Sequence, residues 1–364
     1  MSNHETPEAA ELSSAAYPRT IEFGLNSFGE LATDGSGKRM SDAETVRLII
    51  DEGVLAESVG IDSFSIGEHY RREMMDSANH VILAAIAGRT ERIRLGTSVT
   101  VLSTQDPVRL FAESATLDAA SNGRAQLILG RASATESFPL FGFDLADYET
   151  LFEEKLELFV RLLREQPVTW SGTVRSPLVD QYVSPGIQPR SIPTWIGVGG
   201  SPQSVIRAAR YGLPLMLAII GGQPSRFAPY VDLYQRALEQ FGHPPLPIGE
   251  HSLGLIDSTD EQARETHWPS WKFVMDTMGK ERGFRSPTPE SYDAEVRAGA
   301  MFVGSPETVA VRIAETIRTL SLSRFDLKYD LLDMSREARA TTIELYGGKV
   351  IPRVRELLAE PTNA

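Results

Sequence analysis

The chain contains no cysteine. Disulfide bonds, thiolate nucleophiles and cysteine-ligated iron–sulfur clusters are therefore excluded. A chain without cysteine is compatible with a reducing cytoplasm, and we expect the protein to be located there. No stretch approaches the roughly 20 apolar residues that a membrane-spanning helix needs. Basic residues are also few, because 36 Lys and Arg stand against 49 Asp and Glu, giving a net charge of −13. That charge argues against nucleic acid and membranes as partners, since both attract basic surfaces.

The beginning of the chain lacks the features of a signal peptide. Its first 17 residues are polar and acidic, with no basic start and no apolar middle. We expect a disordered tail over 1–17. The remaining sequence has an ordinary globular composition, since 41% of the chain is hydrophobic and 23% is charged.

Eight short apolar segments recur along the chain, and helical patterns separate them. They predict strands at residues 20–26, 62–67, 93–102, 125–130, 195–198, 214–220, 247–256 and 325–331. Runs such as LILG are almost continuously apolar, as in parallel strands buried on both faces. Eight alternating units predict a (β/α)8 TIM barrel over residues 18–358, with its site at the C-terminal strand ends. A doubly wound open sheet is the alternative, but no Gly-x-Gly-x-x-Gly follows the first strand.

Two segments do not fit the regular alternation. Residues 168–190 contain several prolines and scattered apolar residues, and they predict a hairpin-like excursion. Residues 257–303 are too long for an ordinary connection and combine a helical part, 259–279, with a proline-rich part, 283–292. We interpret 257–303 as a lid-like insertion on the ligand side, before the last strand.

A glycine turn follows the fifth predicted strand and opens a helix. Gly199 and Gly200 allow the backbone to approach a ligand, and Ser201 then caps a helix that has proline in its first turn. The free N–H groups and the dipole of a helix start attract anions. The same Gly-Ser-Pro sequence recurs at 304–306, after the insertion and not at an obvious barrel-strand end, so we expect an ordinary helix cap there.

Four segments together resemble the luciferase-like flavin-dependent monooxygenases, the group that includes bacterial luciferase. They are EHY at 68–70, GTSVTVLSTQDPVRL at 96–110, GRAQLILGR at 123–131 and GVGGSPQSVIRAARYGLPL at 197–215. The resemblance covers roughly residues 20–350. It implies that reduced FMN from a separate reductase binds across the barrel mouth and that O2 reacts at the flavin C4a. It also implies a small organic substrate and a homodimer.

The resemblance assigns residues to the cofactor. It implies that Arg131 binds the FMN phosphate, with the side chains of Ser201 and Ser204 and the backbone around Gly199 and Gly200. A plain helix cap and a rim salt bridge are the alternatives for these residues. The resemblance further implies a non-prolyl cis peptide bond under the flavin ring.

That cis bond is expected between Ser98 and Val99, with an ordinary trans bulge as the alternative. His69 aligns with the catalytic histidine of the family and could act as a base, because histidine titrates near neutrality. Its alternative is a structural histidine that bonds the rim loops. Tyr70 stands where the family often has a second histidine, and Gly130 stands where bacterial luciferase has a reactive cysteine.

Two other functions remain open at this point. A related branch of the superfamily transfers hydride with the deazaflavin F420, and some relatives bind flavin without catalysis. The remaining histidines lack the spacing of metal ligands, so no metal site is expected.

Overall fold

Strand pairing closes the main sheet into a barrel. The computed structural model describes residues 20–131, 135–164, 166–187, 192–279, 283 and 285–360, so the expected tail at 1–17 lies outside the described residues. The strands are β1 (Glu22–Ser27), β2 (Ser63–Ile66), β3 (Arg94–Val101), β4 (Ala125–Gly130), β5 (Val168–Trp170), β6 (Leu178–Gln181), β7 (Thr194–Val198), β8 (Leu215–Ala218), β9 (Ile248–Ile256), β10 (Met301–Gly304) and β11 (Arg324–Lys328). Parallel pairing runs β1-β2-β3-β4-β7-β8-β9-β11 and returns to β1. The (β/α)8 barrel is therefore confirmed, and the open sheet is excluded.

Helices surround the barrel, and most of them pack on it through one large apolar core. They are α1 (Asp42–Ser58), α2 (Asn79–Ala87), α3 (Pro107–Ala120), α4 (Ser137–Phe141), α5 (Tyr148–Arg164), α6 (Pro202–Arg210), α7 (Ala228–Gln240), α8 (Asp260–Val274), α9 (Pro289–Ala298), α10 (Pro306–Leu320), α11 (Arg336–Leu345) and α12 (Ile351–Ala359). Ser41 and Glu44 form the capping box at the start of α1, because each side chain bonds the backbone N–H of the other. Among the described residues, no helix is both long enough and apolar enough to cross a membrane.

The barrel interior combines a buried charged group with a small apolar cluster. Arg324 is 1% exposed, and its guanidinium donates to Asp326 at 2.8 Å and to Gln126 at 2.7 Å. Ile128, Trp195 and Met216 form the apolar cluster, and the Arg324 guanidinium stands 5.5 Å from the centre of the Trp195 ring. These side chains fill the barrel interior, so it is a packed core and not a pore.

The excursion predicted at 168–190 contains an antiparallel hairpin. β5 and β6 pair with each other and with no strand of the barrel. Residues 188–190 lie outside the described part of the chain. The hairpin follows α5, and the carboxylate of Glu154 on that helix accepts hydrogen bonds from the backbone of Thr173 and Val174 at 2.7 and 3.0 Å.

The 257–303 insertion differs from the expectation, because it contributes a strand. β10 pairs in parallel with the second half of β9, from Leu253 to Ile256, beyond the point where β8 stops. The segment 289–298, part of which we read as proline-rich loop, is helix α9. A second apolar cluster joins α8, α9 and β10 to β9. Closure of this segment as a lid stays a prediction.

Candidate functional site

Most of the residues singled out from the sequence lie at one end of the barrel. Because the strands are parallel, their C-terminal ends share a rim, here called the mouth. His69 follows β2, the Ser98–Val99 bond lies in β3, Arg131 follows β4, and the glycine turn (Gly199–Ser201) follows β7. The Phe28 ring stands 4.7 Å from the His69 ring and 5.6 Å from the His251 ring. The mouth thus combines an aromatic and histidine-rich side with a glycine-rich side.

His69 is held by a buried carboxylate. Asp76 is 0% exposed, and its Oδ2 lies 2.7 Å from His69 Nδ1, while its Oδ1 accepts the backbone N–H of His69 at 3.1 Å. Burial opposes the charge on the ring, but the facing carboxylate outweighs it and raises the pKa of His69 above 6.5. Within the described residues, nothing bonds Nε2 of His69. The ring therefore has a fixed orientation and one free nitrogen.

Glu68 supports the rim and does not contact His69. Its carboxylate accepts hydrogen bonds from the Tyr70 hydroxyl at 2.6 Å, the Val101 backbone at 2.8 Å and the Gln105 amide at 2.7 Å. Burial raises the pKa of Glu68, although these three donors oppose the shift. Glu68 therefore fixes the rim backbone, whereas Asp76 orients the histidine.

The peptide bond between Ser98 and Val99 is cis, as the resemblance implied. The Val99 side chain points between Gly130 on the neighbouring strand β4 and Gly197 on the next strand, β7. A Cβ added at Gly130 would lie 2.6 Å from Val99 Cγ2, and one added at Gly197 would lie 2.9 Å from Cγ1. Both distances are too short for carbon atoms, so glycine at 130 and 197 is needed to seat Val99.

The glycine turn leaves the start of α6 open. Gly200 has φ +115°, a conformation that favours glycine, and a Cβ added at Gly199 would meet no atom within 4 Å. Ser201 is the N-cap of α6, and its hydroxyl accepts from Ser204 N at 3.4 Å. The described part of the chain offers no acceptor to the backbone N–H groups of Gly200 and Ser201. This helix start can therefore accept an anion.

Arg131 faces the same region but bonds a carboxylate of the chain. Its Nη1 donates to Oε1 of Glu149 in the first turn of α5, and its guanidinium lies 5.2 Å from the centre of the Tyr148 ring. Oε2 of the same Glu149 accepts from Arg207 of α6 at 2.9 Å. Arg131 and α6 thus meet through one shared carboxylate, which is the rim salt bridge we considered from the sequence.

The second Gly-Ser-Pro turn shows what an occupied helix start looks like. Gly304 ends β10, so this copy also follows a strand, although one outside the barrel. The carboxylate of Asp260 accepts from Ser305 N at 2.7 Å and from the Thr308 hydroxyl at 3.0 Å. The anion position of this turn is filled by the chain itself, which supports its role as a structural cap.

A family profile described as luciferase-like monooxygenase matches residues 21–323. The chain belongs to the luciferase-like monooxygenase family. Membership supports an enzyme of the oxidoreductase class. Among curated relatives, the alkanal monooxygenase alpha chain of Photorhabdus luminescens is 25% identical over 296 residues, which cover 77% of this chain and 73% of the relative.

Solved structures share the fold of this family member. The monooxygenase RslO1 of Streptomyces bottropensis matches with a TM-score of 0.79 at 23% identity, over 91% of this chain and 99% of that one. The oxygenating constituent of 3,6-diketocamphane monooxygenase of Pseudomonas putida, in complex with FMN, matches with a TM-score of 0.71 at 19% identity, over 92% and 99%. An F420-dependent secondary alcohol dehydrogenase matches with 0.72 at 17% identity, also over 92% and 99%.

A buried charge network behind the mouth was not expected from the sequence. Lys328, at the end of β11, bonds Glu30 and lies 3.2 Å from Asp330 Oδ1, and its Nζ stands 4.8 Å from the centre of the Phe28 ring. Asp330 also accepts from the Ser27 hydroxyl at 2.8 Å. Burial opposes the charge of Lys328, but the two carboxylates outweigh it and raise its pKa. The network fixes the loop that places Phe28 against His69.

Proposed function

We propose that this family member is a flavin-dependent monooxygenase that uses reduced FMN and O2 on a small organic substrate. The observation that carries the proposal is the meeting of two features at one barrel mouth. One is a helix start that is open to an anion, and the other is a histidine held by a buried carboxylate. Similarity to an alkanal monooxygenase and to a structure in complex with FMN supports the same reading.

The residues of the glycine turn fit the phosphate of FMN. Gly199 offers open space where a side chain would otherwise stand, and the N–H groups of Gly200 and Ser201 point to no acceptor in the described chain. Ser204 and Arg131 would add a hydroxyl and a positive charge, both suited to a phosphate monoester. When bound, reduced FMN supplies the two electrons and the carbon at which O2 is activated.

His69 would hold and move a proton beside the reacting atoms. An ionised Asp76 can only accept, so Nδ1 of the neutral ring carries the hydrogen and Nε2 is left as a base. The Phe28 ring packs beside His69 and limits its movement. The apolar cluster of Ile128, Trp195 and Met216, with Val99 packed against it, would keep water away from the barrel side of a ligand bound at the mouth.

Reduced-flavin kinetics test this proposal. Anaerobically reduced FMN is mixed with the protein and then with oxygenated buffer, and flavin absorbance is followed against free reduced FMN. We expect slower reoxidation in the presence of the protein, because a protected site delays the return of oxidised flavin. Identical traces with and without protein would refute use of O2 on bound flavin. His69→Ala should keep FMN binding but lose oxygenation of a substrate.

Two alternatives are separated by binding and turnover. F420-dependent hydride transfer is kept because two structural neighbours use F420, one as an alcohol dehydrogenase and one as a tetrahydromethanopterin reductase. Quenching of tryptophan fluorescence on titration with FMN and with F420 compares the affinities for the two cofactors. Tighter binding of F420 would make F420 the proposed cofactor in place of FMN. If the chain binds flavin without catalysis, neither the native chain nor His69→Ala should turn over a substrate, and both should bind flavin equally well.

The proposed reaction also needs partners. Reduced FMN would come from a separate reductase, and we propose a homodimer. A coupled assay with a flavin reductase and NADH tests the first, because omission of the reductase should abolish turnover. Sedimentation equilibrium tests the second, since a dimer of this chain has twice its 40.0 kDa mass. The cytoplasmic location stays a prediction.

A further inference from the structure

One carboxylate joins Arg131 to Arg207, an arginine of the helix that the glycine turn begins. Glu149 opens the first turn of α5, where its Oε1 accepts from Arg131 and its Oε2 accepts from Arg207 at 2.9 Å. Arg131 follows β4, and Arg207 lies on α6, the helix that the glycine turn begins. The Glu149 carboxylate therefore lies between the elements that would bind a phosphate.

Arg207 has capacity for a further acceptor. It is 8% exposed, its Nε donates to Glu153 at 2.5 Å, and its Nη1 is buried without a partner among the described residues. Arg207 lies about one turn after Ser204 on α6, and its guanidinium, held by Glu149 and Glu153 of α5, stands 5.3 Å from the centre of the Phe152 ring. A buried donor without an acceptor is unfavourable, and a ligand oxygen would relieve it.

The bridging carboxylate is much more exposed than the arginines. The side chain of Glu149 is 62% exposed, against 20% for Arg131 and 10% for Arg207. An ion pair with one exposed partner contributes little, because water and salt screen it. Glu149 can therefore leave Arg131 at small cost when a stronger anion arrives, whereas the two arginines stay where they are.

We propose that Glu149 is a built-in counter-ion of the cofactor phosphate site and that Arg207 is the second cation of that site. The phosphate monoester displaces the carboxylate from Arg131, and Glu149 holds the arginines in place until then. This inference rests on the proposed use of FMN. It predicts that the native chain binds phosphate more weakly than its two arginines alone would allow, because Glu149 competes.

The test compares FMN with riboflavin, which has the same ring and no phosphate. Dissociation constants are measured by fluorescence titration for the native chain, Glu149→Gln and Glu153→Gln. Glu153 is the matched control, because it lies one turn along α5, bonds Arg207 at 2.5 Å and does not bond Arg131. Inorganic phosphate is added as a competitor of FMN in each case. Thermal midpoints of all variants report whether folding is preserved.

Glu149→Gln should tighten FMN binding by about 3- to 10-fold and lower the phosphate concentration needed for competition, since a like charge and a competing ion pair are removed. Riboflavin binding should stay within about two-fold, and Glu153→Gln should change neither ligand by more than about two-fold. Arg207→Gln should weaken FMN by about 10-fold and leave riboflavin unchanged, because only the phosphate contact is lost.

Three results would overturn the inference. FMN affinity that is unchanged or weaker in Glu149→Gln contradicts the counter-ion role. Equal tightening in Glu153→Gln would make the effect one of net charge alone. A native chain that binds riboflavin and FMN equally well has no phosphate site at all. Failure of the native chain to bind either flavin would instead refute the proposed function, and the inference with it. If Arg207→Gln does not fold, the Glu149→Gln titrations and the phosphate competition decide alone.

Discussion

Replacement of Asp76 by asparagine should lower the pKa of His69. The carboxylate lies 2.7 Å from Nδ1 and is completely buried, so no solvent screens the pair from that side. Asparagine keeps the size and removes the charge. The largest remaining influence on His69 is burial, which favours the neutral ring and lowers the pKa, against smaller raising effects of the Glu30 and Glu136 carboxylates.

The size of the change follows from the contact. An opposite charge at this range shifts a pKa by about 1–3 units, and each unit corresponds to about 1.4 kcal/mol. The native pKa lies above 6.5, and the pKa of the variant should lie below the native one. If neutral His69 is the base, native activity rises with pH through the raised pKa, and Asp76→Asn moves that rise to lower pH by the same amount. The plateau should fall by about 10²-fold, because a weaker and less well oriented base transfers protons more slowly.

Histidine-labelled NMR measures this directly. The chain has six histidines, and His69→Gln assigns the signal of interest. Three others serve as internal controls, since burial lowers the pKa of His80 to about 4 and the pKa values of His251 and His267 to about 3. They should keep their chemical shifts across neutral pH in both proteins. A native His69 that titrates below 6.5, or a variant with an unchanged pKa, would refute the electrostatic reasoning.

Other substitutions test the packing of the mouth and the two glycine turns. Gly130→Ala brings a Cβ to 2.6 Å from Val99 Cγ2 and should cost about 1–3 kcal/mol of unfolding free energy, measured by thermal denaturation. Val99→Ala should rescue it only partly, because the Val99 Cβ itself would lie 2.9 Å away, and full rescue would contradict this geometry. The methyl group added by Gly199→Ala meets no atom within 4 Å, so the thermal midpoint should stay unchanged. Because that methyl enters the proposed phosphate space, the variant should bind FMN at least about five-fold more weakly and bind riboflavin as before. Equal loss of affinity for both ligands would argue against a phosphate contact. Asp260→Ala removes the acceptor that lies 2.7 Å from Ser305 N, and it should lower the free energy of unfolding by about 1–3 kcal/mol, measured by chemical denaturation. FMN affinity should not change. A change in affinity would show that the second turn also contacts the ligand.

Elementary patterns were enough to predict the barrel and not the extra strand. The barrel strands are short apolar runs bounded by polar residues, and each was located within a few residues of its observed ends. β10 was missed because Met301–Gly304 is only four residues long and lies inside a segment of mixed composition. Its pairing depends on β9 extending past β8, and sequence periodicity does not report how far a strand projects from a barrel.

The site was predicted less completely than the fold. The resemblance supplied His69 and the Ser98–Val99 bond, but local rules gave no reason to choose Asp76. That residue lies in an irregular loop, and its role arises only because the loop turns back to place its carboxylate under His69. Glu149 was missed although its helix was predicted correctly. An exposed glutamate in a first helical turn is common, so its position gave no sign of a special role.

The two Gly-Ser-Pro turns show why a motif alone does not define a binding site. Each follows a strand, and each opens a helix capped by its serine. At Ser305 the chain provides its own anion, Asp260, whose pKa is lowered by the hydrogen bonds it accepts even though burial opposes them. At Ser201 no described carboxylate bonds the turn, while Glu149 holds Arg131 and Arg207 beside it. The surroundings of each turn therefore separate a structural cap from a candidate phosphate site, and they do so through carboxylates that come from elsewhere in the chain.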